Sequence, residues 1–303
     1  MTIYPVIMCG GSGTRLWPVS TSRTPKQFVN LISGESLFRQ TVRRVAQADD
    51  GLSLADPVII SNARYLGLVE QQLADAGVTP LAILLEPCAR NTAAVAAVAA
   101  EFISRIDPDG LVLLLPADHF IGNPSAFRKS VADAVEVAQV GRIVTFGISP
   151  SDPETGFGYI KAGEAIGASA FIVDAFREKP DQATALSYLA DGSYSWNAGI
   201  FLFPASLMQA ELHAHAPDVM EGAAAALDAT DTNATVLHLN EMLFAQIRSI
   251  SIDYAVMERA PNLSVVPYGG TWSDLGDWQA IWREGNADET GVVTSGPSTA
   301  LAC

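Results

Sequence analysis

The segment "IYPVIMCGGSGTRLWPVSTSRTPKQF", residues 3–28, joins an apolar run of strand length to a glycine-rich loop that carries basic residues. Three of the four positions from Gly10 to Gly13 are glycine, and Arg15 and Lys26 follow. Backbone N–H groups of such a loop can bind phosphate, and glycine lets the main chain approach it closely. Arginine can grip two phosphate oxygens, whereas lysine acts as a point charge. The segment therefore predicts a strand followed by a phosphate-binding loop.

Four further apolar runs follow, and segments of helical period separate them. The runs are "PVII", "LAILL", "LVLLLP" and "RIVTFGI", and the predicted helices are 36–48, 63–76, 91–105 and 125–140. Short strands that are apolar throughout indicate a parallel sheet covered by helices on both faces. Right-handed crossovers then place the carboxyl ends of the strands at one edge, where ligands bind in open α/β sheets.

The pattern changes after about residue 149. "FGYIKAG", "AFIVDAFREKP" and "SWNAGIFLF" predict longer, partly antiparallel strands, with helices near 205–215 and 218–229. We therefore predict an α/β fold with a Rossmann-like, twisted, mostly parallel mixed sheet flanked by helices. Residues 1–285 are expected to form one catalytic domain. The strand-like, Gly/Ser-rich residues 286–303 are expected to begin a truncated, β-rich C-terminal extension.

Composition argues against several classes of partner. The formal net charge of −15 repels polyanions and anionic membranes, although a local basic pocket can still bind a small phosphorylated ligand. Cys9, Cys88 and Cys303 show no CxxC spacing, which fits a reducing compartment. The most apolar stretch, "NTAAVAAVAAEFI", is interrupted by Glu101 and is too short to span a bilayer. We therefore expect a cytoplasmic protein that binds neither nucleic acid nor membrane.

The common phosphate-binding motifs do not match the opening loop. A P-loop needs a Gly-Lys pair, which this sequence lacks, and the dinucleotide fingerprint fails because Arg15 and Leu16 stand where its last glycine would be. The remaining pattern is GGxGTRLxP with PKQ some ten residues later. An ordinary glycine turn with solvated basic residues is the alternative, but the length of the string favours a ligand site.

Two carboxylates follow predicted strands. Asp118 lies in "LLLPADH", where it could hold a hard cation that bridges nucleotide phosphates or simply cap a helix. Asp274 lies in "WSDLGDW" and offers a second carboxylate, with Gly276 allowing a tight turn. His119 could equally cap a helix or pack against neighbouring side chains.

The loop resembles the signature of the nucleotide-sugar pyrophosphorylases, and "LWP…PKQF" is most similar to the bacterial mannose-1-phosphate guanylyltransferases. Matches continue in the family's order with "EPCARNTAA", "LLPADH", "ETGFGYI", "FREKPD", "WNAGIFLF", "SIDYAVME" and "WSDLGDW". The resemblance implies a nucleotidyltransferase fold and the reaction of GTP with α-D-mannose 1-phosphate to give GDP-mannose and pyrophosphate. It also implies a Mg²⁺ ion bound by Asp118 and Asp274.

Residues are assigned to roles on the same basis. The expected catalytic residues are Arg15, Lys26 and Asp118. The expected nucleotide-binding residues are Gly10, Gly11, Gly13, Thr14, Arg15, Glu86, Asn91 and Thr92. The expected sugar-phosphate-binding residues are Gly158, Glu178, Lys179 and Asn197.

Alternatives remain open for four of these residues and for the function. Glu86 could read N1–H and N2–H of guanine, or it could cap the strand end while backbone carbonyls read the base. The Glu178–Lys179 pair could be a surface ion pair of little energetic value, and Asn197 could satisfy backbone in a strand bend. The alternative functions are the same chemistry with another nucleotide or sugar 1-phosphate, and a catalytically silent subunit that senses nucleotide sugars. A homodimer is left open.

Overall fold

The computed structural model describes residues 1–11, 14–32, 34–46, 51–231, 234–285, 287–289 and 291–293. In its first half, buried strands alternate with helices. These elements are β1 Ile3–Cys9, α1 Leu37–Ala46, β2 Val58–Asn62, α2 Leu66–Ala76, β3 Ala82–Glu86, α3 Asn91–Ile106, β4 Leu111–Pro116, β5 Phe120–Ile121, α4 Pro124–Ala138 and β6 Ile143–Ile148.

The second half contains longer strands and short helices. These elements are β7 Gly158–Ile166, β8 Ala170–Glu178, α5 Gln182–Asp191, β9 Tyr194–Pro204, α6 Ala205–His215, α7 Pro217–Asp228, β10 Val236–His238, α8 Glu241–Phe244, β11 Leu263–Tyr268, β12 Trp272–Ser273 and α9 Trp278–Glu284. A π-helical turn, Asp253–Met257, precedes β11. Three 3₁₀ turns, Thr14–Leu16, Lys26–Phe28 and Ala63–Tyr65, complete the regular structure of the described residues.

Ten strands form one mixed sheet in the order β10-β3-β2-β1-β4-β9-β6-β11-β8-β7. The strands from β10 to β4 are parallel to one another, as the apolar runs predict. β9 is antiparallel to β4, β6 and β7 and interrupts the parallel pairing, which recurs beyond it between β6 and β11. β5 and β12 form a separate antiparallel pair. The predicted fold class is confirmed, with parallel pairing concentrated in one half of the sheet.

Helices cover both faces of the sheet. α3, α6 and α7 pack on one face, while α1, α2 and α4 pack on the other. Every residue of α3 from position 93 to position 100 is buried, and all are alanine or valine. These small side chains let α3 lie close to the sheet and to α6 and α7 at once, so a larger residue such as Leu at Ala97 would cost roughly 1–3 kcal/mol through overpacking.

The carboxyl ends of β1, β3 and β4 reach one edge of the sheet, as the crossover rule predicts. Gly10 follows β1, Glu86 ends β3, and Asp118 follows β4, and all three line the same cavity. In the described part of the chain, no helix is both long enough and apolar enough to cross a membrane. Cys9 is a buried free thiol and Cys88 is a half-buried one.

Candidate active site

Three cavities follow one another along this edge. The Glu86 cavity, of about 340 Å³, is lined by Met8, Gly10, Gly11, Glu86, Ala89, Arg90, Asn91, Thr92, Val95, Pro116, Asp118, His119, Gly199, Phe201, Ile252 and Asp253. The Glu178 cavity, of about 210 Å³, is lined by His119, Gly156, Phe157, Gly158, Glu178, Asn197, Ala198, Gly199, Asp253, Trp272 and Asp274. The Arg15 cavity, of about 440 Å³, lies between residues 148–157 and 270–284 and includes Arg15, Trp196 and Asp274.

The cavities share walls and therefore form one cleft. His119, Gly199 and Asp253 line both the Glu86 cavity and the Glu178 cavity. Trp272 and Asp274 line both the Glu178 cavity and the Arg15 cavity. Of the residues predicted for the nucleotide, the Glu86 cavity brings together Gly10, Gly11, Glu86, Asn91 and Thr92, whereas Arg15 lines the Arg15 cavity beyond the Glu178 cavity. Of those predicted for the sugar phosphate, Gly158, Glu178 and Asn197 line the Glu178 cavity, and Lys179 is not part of its lining.

The opening loop lies at the mouth of this cleft. Gly11 has φ +84°, a conformation that residues with a side chain rarely adopt. A Cβ built at this position would meet no atom within 4 Å, so the backbone conformation, and not a lack of space, requires glycine here. The side chain of Gln27 donates to the carbonyl of Gly10 at 3.2 Å and fixes the end of β1. Thr14 and Arg15 are exposed, and Arg15 lines the Arg15 cavity. Gly13 lies outside the described residues.

Lys26 joins the two predicted metal ligands. Its Nζ lies 3.0 Å from Oδ2 of Asp118 and also donates to the backbone carbonyl of Asp274. The lysine is buried, with 8% of its surface exposed, and it opens the 3₁₀ turn that follows Pro25 and packs beside α1. An ammonium held in this way brings positive charge to the point where the cavities meet.

The electrostatics around Asp118 keep its carboxylate charged. Burial alone would raise the pKa of Asp118, but the charge of Lys26 and its hydrogen bond outweigh burial and hold that pKa below its usual value. Burial lowers the pKa of His119, which favours the neutral imidazole. The His119 ring packs edge-on against Trp272 at 5.3 Å, and its buried Nδ1 has no hydrogen-bond partner among the described residues.

Glu86 is the acidic side chain at the end of β3. It is 6% exposed, and its buried Oε1 has no hydrogen-bond partner among the described residues. Burial raises the pKa of this carboxyl to about 7. A buried acceptor without a partner is costly, so Glu86 is suited to a ligand that brings N–H donors.

The first residues of α3 complete the Glu86 cavity. Asn91 adopts φ +65°, and its Oδ1 accepts from the backbone N–H of Thr92 at 2.8 Å. The hydroxyl of Thr92 accepts from the backbone N–H of Ile252 at 2.9 Å. As the sequence predicts, both residues open this helix, whose amino end favours negative charge.

Glu178 and Gly158 form a close contact in the Glu178 cavity. A Cβ at position 158 would lie 2.6 Å from Oε2 of Glu178, so only glycine lets the carboxylate occupy this place. Lys179, at φ +47°, pairs with Oε1 of Glu178 at 2.9 Å, and this hydrogen bond raises the pKa of the lysine. The Lys179 side chain is 55% exposed, whereas the Glu178 side chain is 7% exposed. The lysine of this ion pair therefore lies at the surface, and the glutamate is buried.

Asn197 is held by three hydrogen bonds. Its Oδ1 accepts from Thr145 Oγ1 at 2.9 Å and from the backbone N–H of Gly199 at 3.1 Å. Its Nδ2 donates to Oδ1 of Asp253 at 3.0 Å. The alternative that Asn197 satisfies backbone is therefore correct for its oxygen, while the residue also lines the Glu178 cavity.

Asp253 is a site residue that sequence reasoning did not assign. It opens the π-helical turn, it lines both the Glu86 cavity and the Glu178 cavity, and burial raises its pKa to about 7. The available signal was "SIDYAVME", in which the acidic Asp253 stands between Ile252 and the hydrophobic residues 254–257. Such a residue is rarely buried without a partner or a function.

The donor set at the meeting point suits a hard divalent cation. Within the described ranges, no cluster of three or more His, Cys, Asp and Glu side chains could hold a metal ion on its own. Lys26 contacts the carboxylate of Asp118 and the backbone carbonyl of Asp274, so the two residues lie at one place. The Asp274 carboxylate accepts from the backbone N–H of Gly276 at 3.1 Å through Oδ1. Mg²⁺ is typically bound by one or two carboxylates, with water and phosphate oxygens as its other ligands. The residues present therefore fit Mg²⁺.

Comparisons with known proteins identify the family of this chain. The model of the nucleotidyl transferase family matches residues 4–291. The chain is 44% identical over 299 residues to a mannose-1-phosphate guanylyltransferase of Sinorhizobium fredii, covering 98% of this chain and 58% of the relative. It is 42% identical over 301 residues to the xanthan biosynthesis protein XanB of Xanthomonas campestris pv. campestris, covering 99% of this chain and 63% of the relative.

A solved structure supports the fold over the same length. The crystal structure of a protein described as a mannose-1-phosphate geranyltransferase, from Thermus thermophilus, superposes with a TM-score of 0.82 at 32% sequence identity. The match covers 94% of this chain and 79% of that one. The chain thus spans about 58–63% of the length of the two curated relatives. The resemblance read from the motifs is confirmed.

Proposed function

Because the chain belongs to the nucleotidyl transferase family, we propose that it transfers GMP from GTP to α-D-mannose 1-phosphate, giving GDP-mannose and pyrophosphate. The observation that carries this proposal is the meeting of the Glu86 cavity and the Glu178 cavity beside Lys26, Asp118 and Asp274. A nucleotide in the first cavity and a sugar phosphate in the second would bring their phosphates to one charged point.

The reaction is a single in-line displacement. An oxygen of the sugar phosphate attacks the α-phosphorus of GTP, and the bond from that phosphorus to the oxygen bridging the α- and β-phosphorus atoms breaks. Pyrophosphate leaves with the electron pair of that bond, on the side opposite the attacking oxygen. The second ionisation of a phosphate monoester has a pKa of about 6, so the nucleophile is already largely ionised and no general base is needed.

Protein groups act by positioning and by charge. Lys26 would stabilise the crowded α-phosphoryl region, since its ammonium is buried at the meeting point. Arg15 would balance charge on the leaving pyrophosphate. Asp118 and Asp274 would hold Mg²⁺, which when bound neutralises phosphate charge and acts as a Lewis acid.

Guanine selectivity is assigned to Glu86. N1 and the exocyclic N2 of guanine each carry a donor, and an ionised carboxylate can accept from both. Glu86 has a buried oxygen without a partner among the described residues, and it lines the cavity that Asn91 and Thr92 complete. Gly10, Gly11 and Thr14 are proposed to face the phosphates with their backbone N–H groups.

The sugar phosphate is assigned to the Glu178 cavity. Glu178 would accept from sugar hydroxyls; in support, it lines this cavity and Gly158 leaves room for its carboxylate. Lys179 is held at the edge by its ion pair and would contact the phosphate. Asn197 supplies an amide to the same cavity. We propose further that the protein works in the cytoplasm on these small molecules, without nucleic acid or membrane, and that assembly as a homodimer is a matter for solution measurement.

The test is release of pyrophosphate in the presence of Mg²⁺ from a panel of nucleotides and sugar 1-phosphates. GTP with mannose 1-phosphate is expected to give the highest kcat/KM. A higher value for another pair would reassign the substrates while keeping the chemistry. Absence of release and of nucleotide-sugar product for every pair would support a silent, sensing subunit.

A matched pair of variants separates chemistry from fold. Asp274→Asn removes a proposed metal ligand, whereas Asp133→Asn changes a carboxylate on α4, outside the three cavities of the cleft. Asp133 pairs with the exposed Lys129 at 2.9 Å, and a surface ion pair contributes little to stability. Turnover should fall in the first variant and stay near the wild-type value in the second.

A further inference from the structure

The amide of Asn197 has a defined orientation. The backbone N–H of Gly199 can only donate, so the amide atom that faces it, at 3.1 Å, is the oxygen. The hydroxyl of Thr145 donates to the same oxygen at 2.9 Å. Both acceptor positions of this oxygen are therefore filled from the protein side.

The amide nitrogen faces Asp253. One of its two N–H groups donates to Oδ1 of Asp253 at 3.0 Å. Within the described residues, the second N–H has no further protein acceptor, and Asn197 is part of the wall of the Glu178 cavity. What this residue offers to a ligand is thus one donor and no acceptor.

Asp253 is itself held from the other half of the cleft. The backbone N–H of Ile252, the residue before it, donates to the hydroxyl of Thr92 at 2.9 Å. The backbone N–H of Ala93 donates to the carbonyl of Ile250 at 3.2 Å. Asp253 then opens the π-helical turn, a local geometry that often occurs at functional sites. The first turn of α3 and residues 250–253 therefore form one rigid support.

We propose that Asp253 is a positioning residue, which fixes the Asn197 amide so that it donates a hydrogen bond to an acceptor oxygen of the sugar 1-phosphate. This inference rests on the proposed function, because it names the contact made by the second substrate. Asp253 accepts one N–H of Asn197 and so leaves the other for the ligand. The ligand atom that matches is a hydroxyl, ring or phosphate oxygen, all of which accept.

An exchange of the two side chains tests donor chemistry separately from structure. In the double variant Asn197→Asp/Asp253→Asn, the new amide at position 253 can donate back to the new carboxylate at position 197. That carboxylate can still accept from Thr145 and from Gly199. The charge and the number of side-chain atoms stay the same, but position 197 now offers an acceptor where the wild type offers a donor.

The measurement is KM for each substrate and kcat, together with the melting temperature. The exchanged variant should melt within a few degrees of the wild type and keep its KM for GTP within about twofold. Its KM for mannose 1-phosphate should rise about tenfold or more, because a donor to the ligand has become an acceptor. The proposal would be overturned if the exchanged variant kept the wild-type KM for mannose 1-phosphate. It would also be overturned if the KM for GTP rose by the same factor as the KM for mannose 1-phosphate.

Two single variants decide the question if the exchanged variant does not fold. Asp253→Asn keeps an oxygen that can accept from Asn197, whereas Asp253→Ala removes the acceptor. The asparagine variant should recover most of the affinity for mannose 1-phosphate that the alanine variant loses. Equal losses in the two variants would contradict the positioning role.

Failure of the proposed function has a different signature. A wild-type chain that is inactive with GTP and mannose 1-phosphate would overturn that function alone. The wild type and the exchanged variant are then compared by the rise in melting temperature that mannose, glucose and galactose 1-phosphates produce. A rise that occurs in the wild type and is lost in the exchanged variant supports the inference, and equal behaviour of the two proteins, including no rise in either, contradicts it.

Discussion

Lys26 and Asp118 form an ion pair at 3.0 Å in the middle of the cleft, although one residue follows the glycine-rich loop and the other follows β4. This pair holds the pKa of Asp118 below its usual value against the opposing effect of burial. The carboxylate is therefore charged at neutral pH and the ammonium is fixed beside it. The ion pair fixes both groups at one point of the cleft, as electrostatic preorganisation requires.

Removing the ammonium should damage turnover more than fold. Lys26→Met keeps the length of the side chain but removes its charge, so kcat should fall by about 10²–10³, the usual loss of one preorganised electrostatic group. Lys26→Arg keeps the charge and should recover part of that loss. The measurement is kcat in a pyrophosphate-release assay, with circular dichroism as the check on folding. A methionine variant with wild-type kcat would remove Lys26 from the mechanism.

Asp118 and Asp274 are expected to act through one ion. Asp118→Asn and Asp274→Asn should each lower kcat/KM and raise the concentration of Mg²⁺ needed for half-maximal rate. Because the two carboxylates share one cation, the double variant should lose much less than the product of the two single losses. Kinetics over a range of Mg²⁺ concentrations give the result, and strictly multiplicative losses would show that the two carboxylates act independently.

Guanine recognition should depend on the charge of Glu86. Glu86→Gln leaves a mispaired polar group in the cavity and should weaken kcat/KM for GTP by roughly 1–3 kcal/mol. ITP lacks the N2 amine and should lose less, so the preference for GTP over ITP should shrink. An unchanged preference would assign guanine readout to the backbone.

The same residue predicts a pH dependence. Burial raises the pKa of Glu86 to about 7, and only the ionised carboxylate can accept from both guanine donors. The KM for GTP should therefore rise as the pH falls through about 7 in the wild type. The glutamine variant has no charge to lose at this position. Dividing the wild-type KM by that of the variant at each pH removes the titration of GTP itself, and a flat ratio would contradict the assignment.

Asp253 should make the protein less stable as the pH rises. Burial raises its pKa from 3.8 to about 7, so the folded state binds the proton more tightly than the unfolded state does. The stability linked to that proton is fully present below the unfolded pKa and is lost as the pH rises through about 7. The melting temperature of Asp253→Asn minus that of the wild type should thus be a few degrees larger at pH ~8 than at pH ~5. An equal difference at both pH values would mean that the carboxyl does not titrate in this window.

The sequence predicted the parallel half of the sheet because its signals are local. Strands such as β4 are apolar throughout, and α6 was predicted with the bounds Ala205–His215 that the structure has. α5 was missed, although Asp181 at its start and Gly192 at its end are ordinary caps. The pairing of β9 with three other strands depends on contacts between distant segments, which no short pattern records.

The site residues likewise divide into those that the sequence predicted and those that depend on contacts between distant segments. Gly158 and Glu178 were predicted from the family resemblance, and the structure brings them together. Asp253 was missed because its role depends on a hydrogen bond to Asn197, 56 residues away. The link from Lys26 to the carbonyl of Asp274 crosses 248 residues and involves a backbone atom, to which side-chain chemistry gives no clue.

The most direct measurement of the central claim follows the α-phosphorus. GTP labelled with ³²P at the α-phosphate is incubated with the chain, Mg²⁺ and mannose 1-phosphate, and nucleotides, pyrophosphate and protein are separated. The account predicts that the label appears in GDP-mannose, with unlabelled pyrophosphate formed in equal amount and no label bound to the protein. Label retained covalently on the protein, or released as GMP without a nucleotide sugar, would contradict direct in-line transfer to the sugar phosphate.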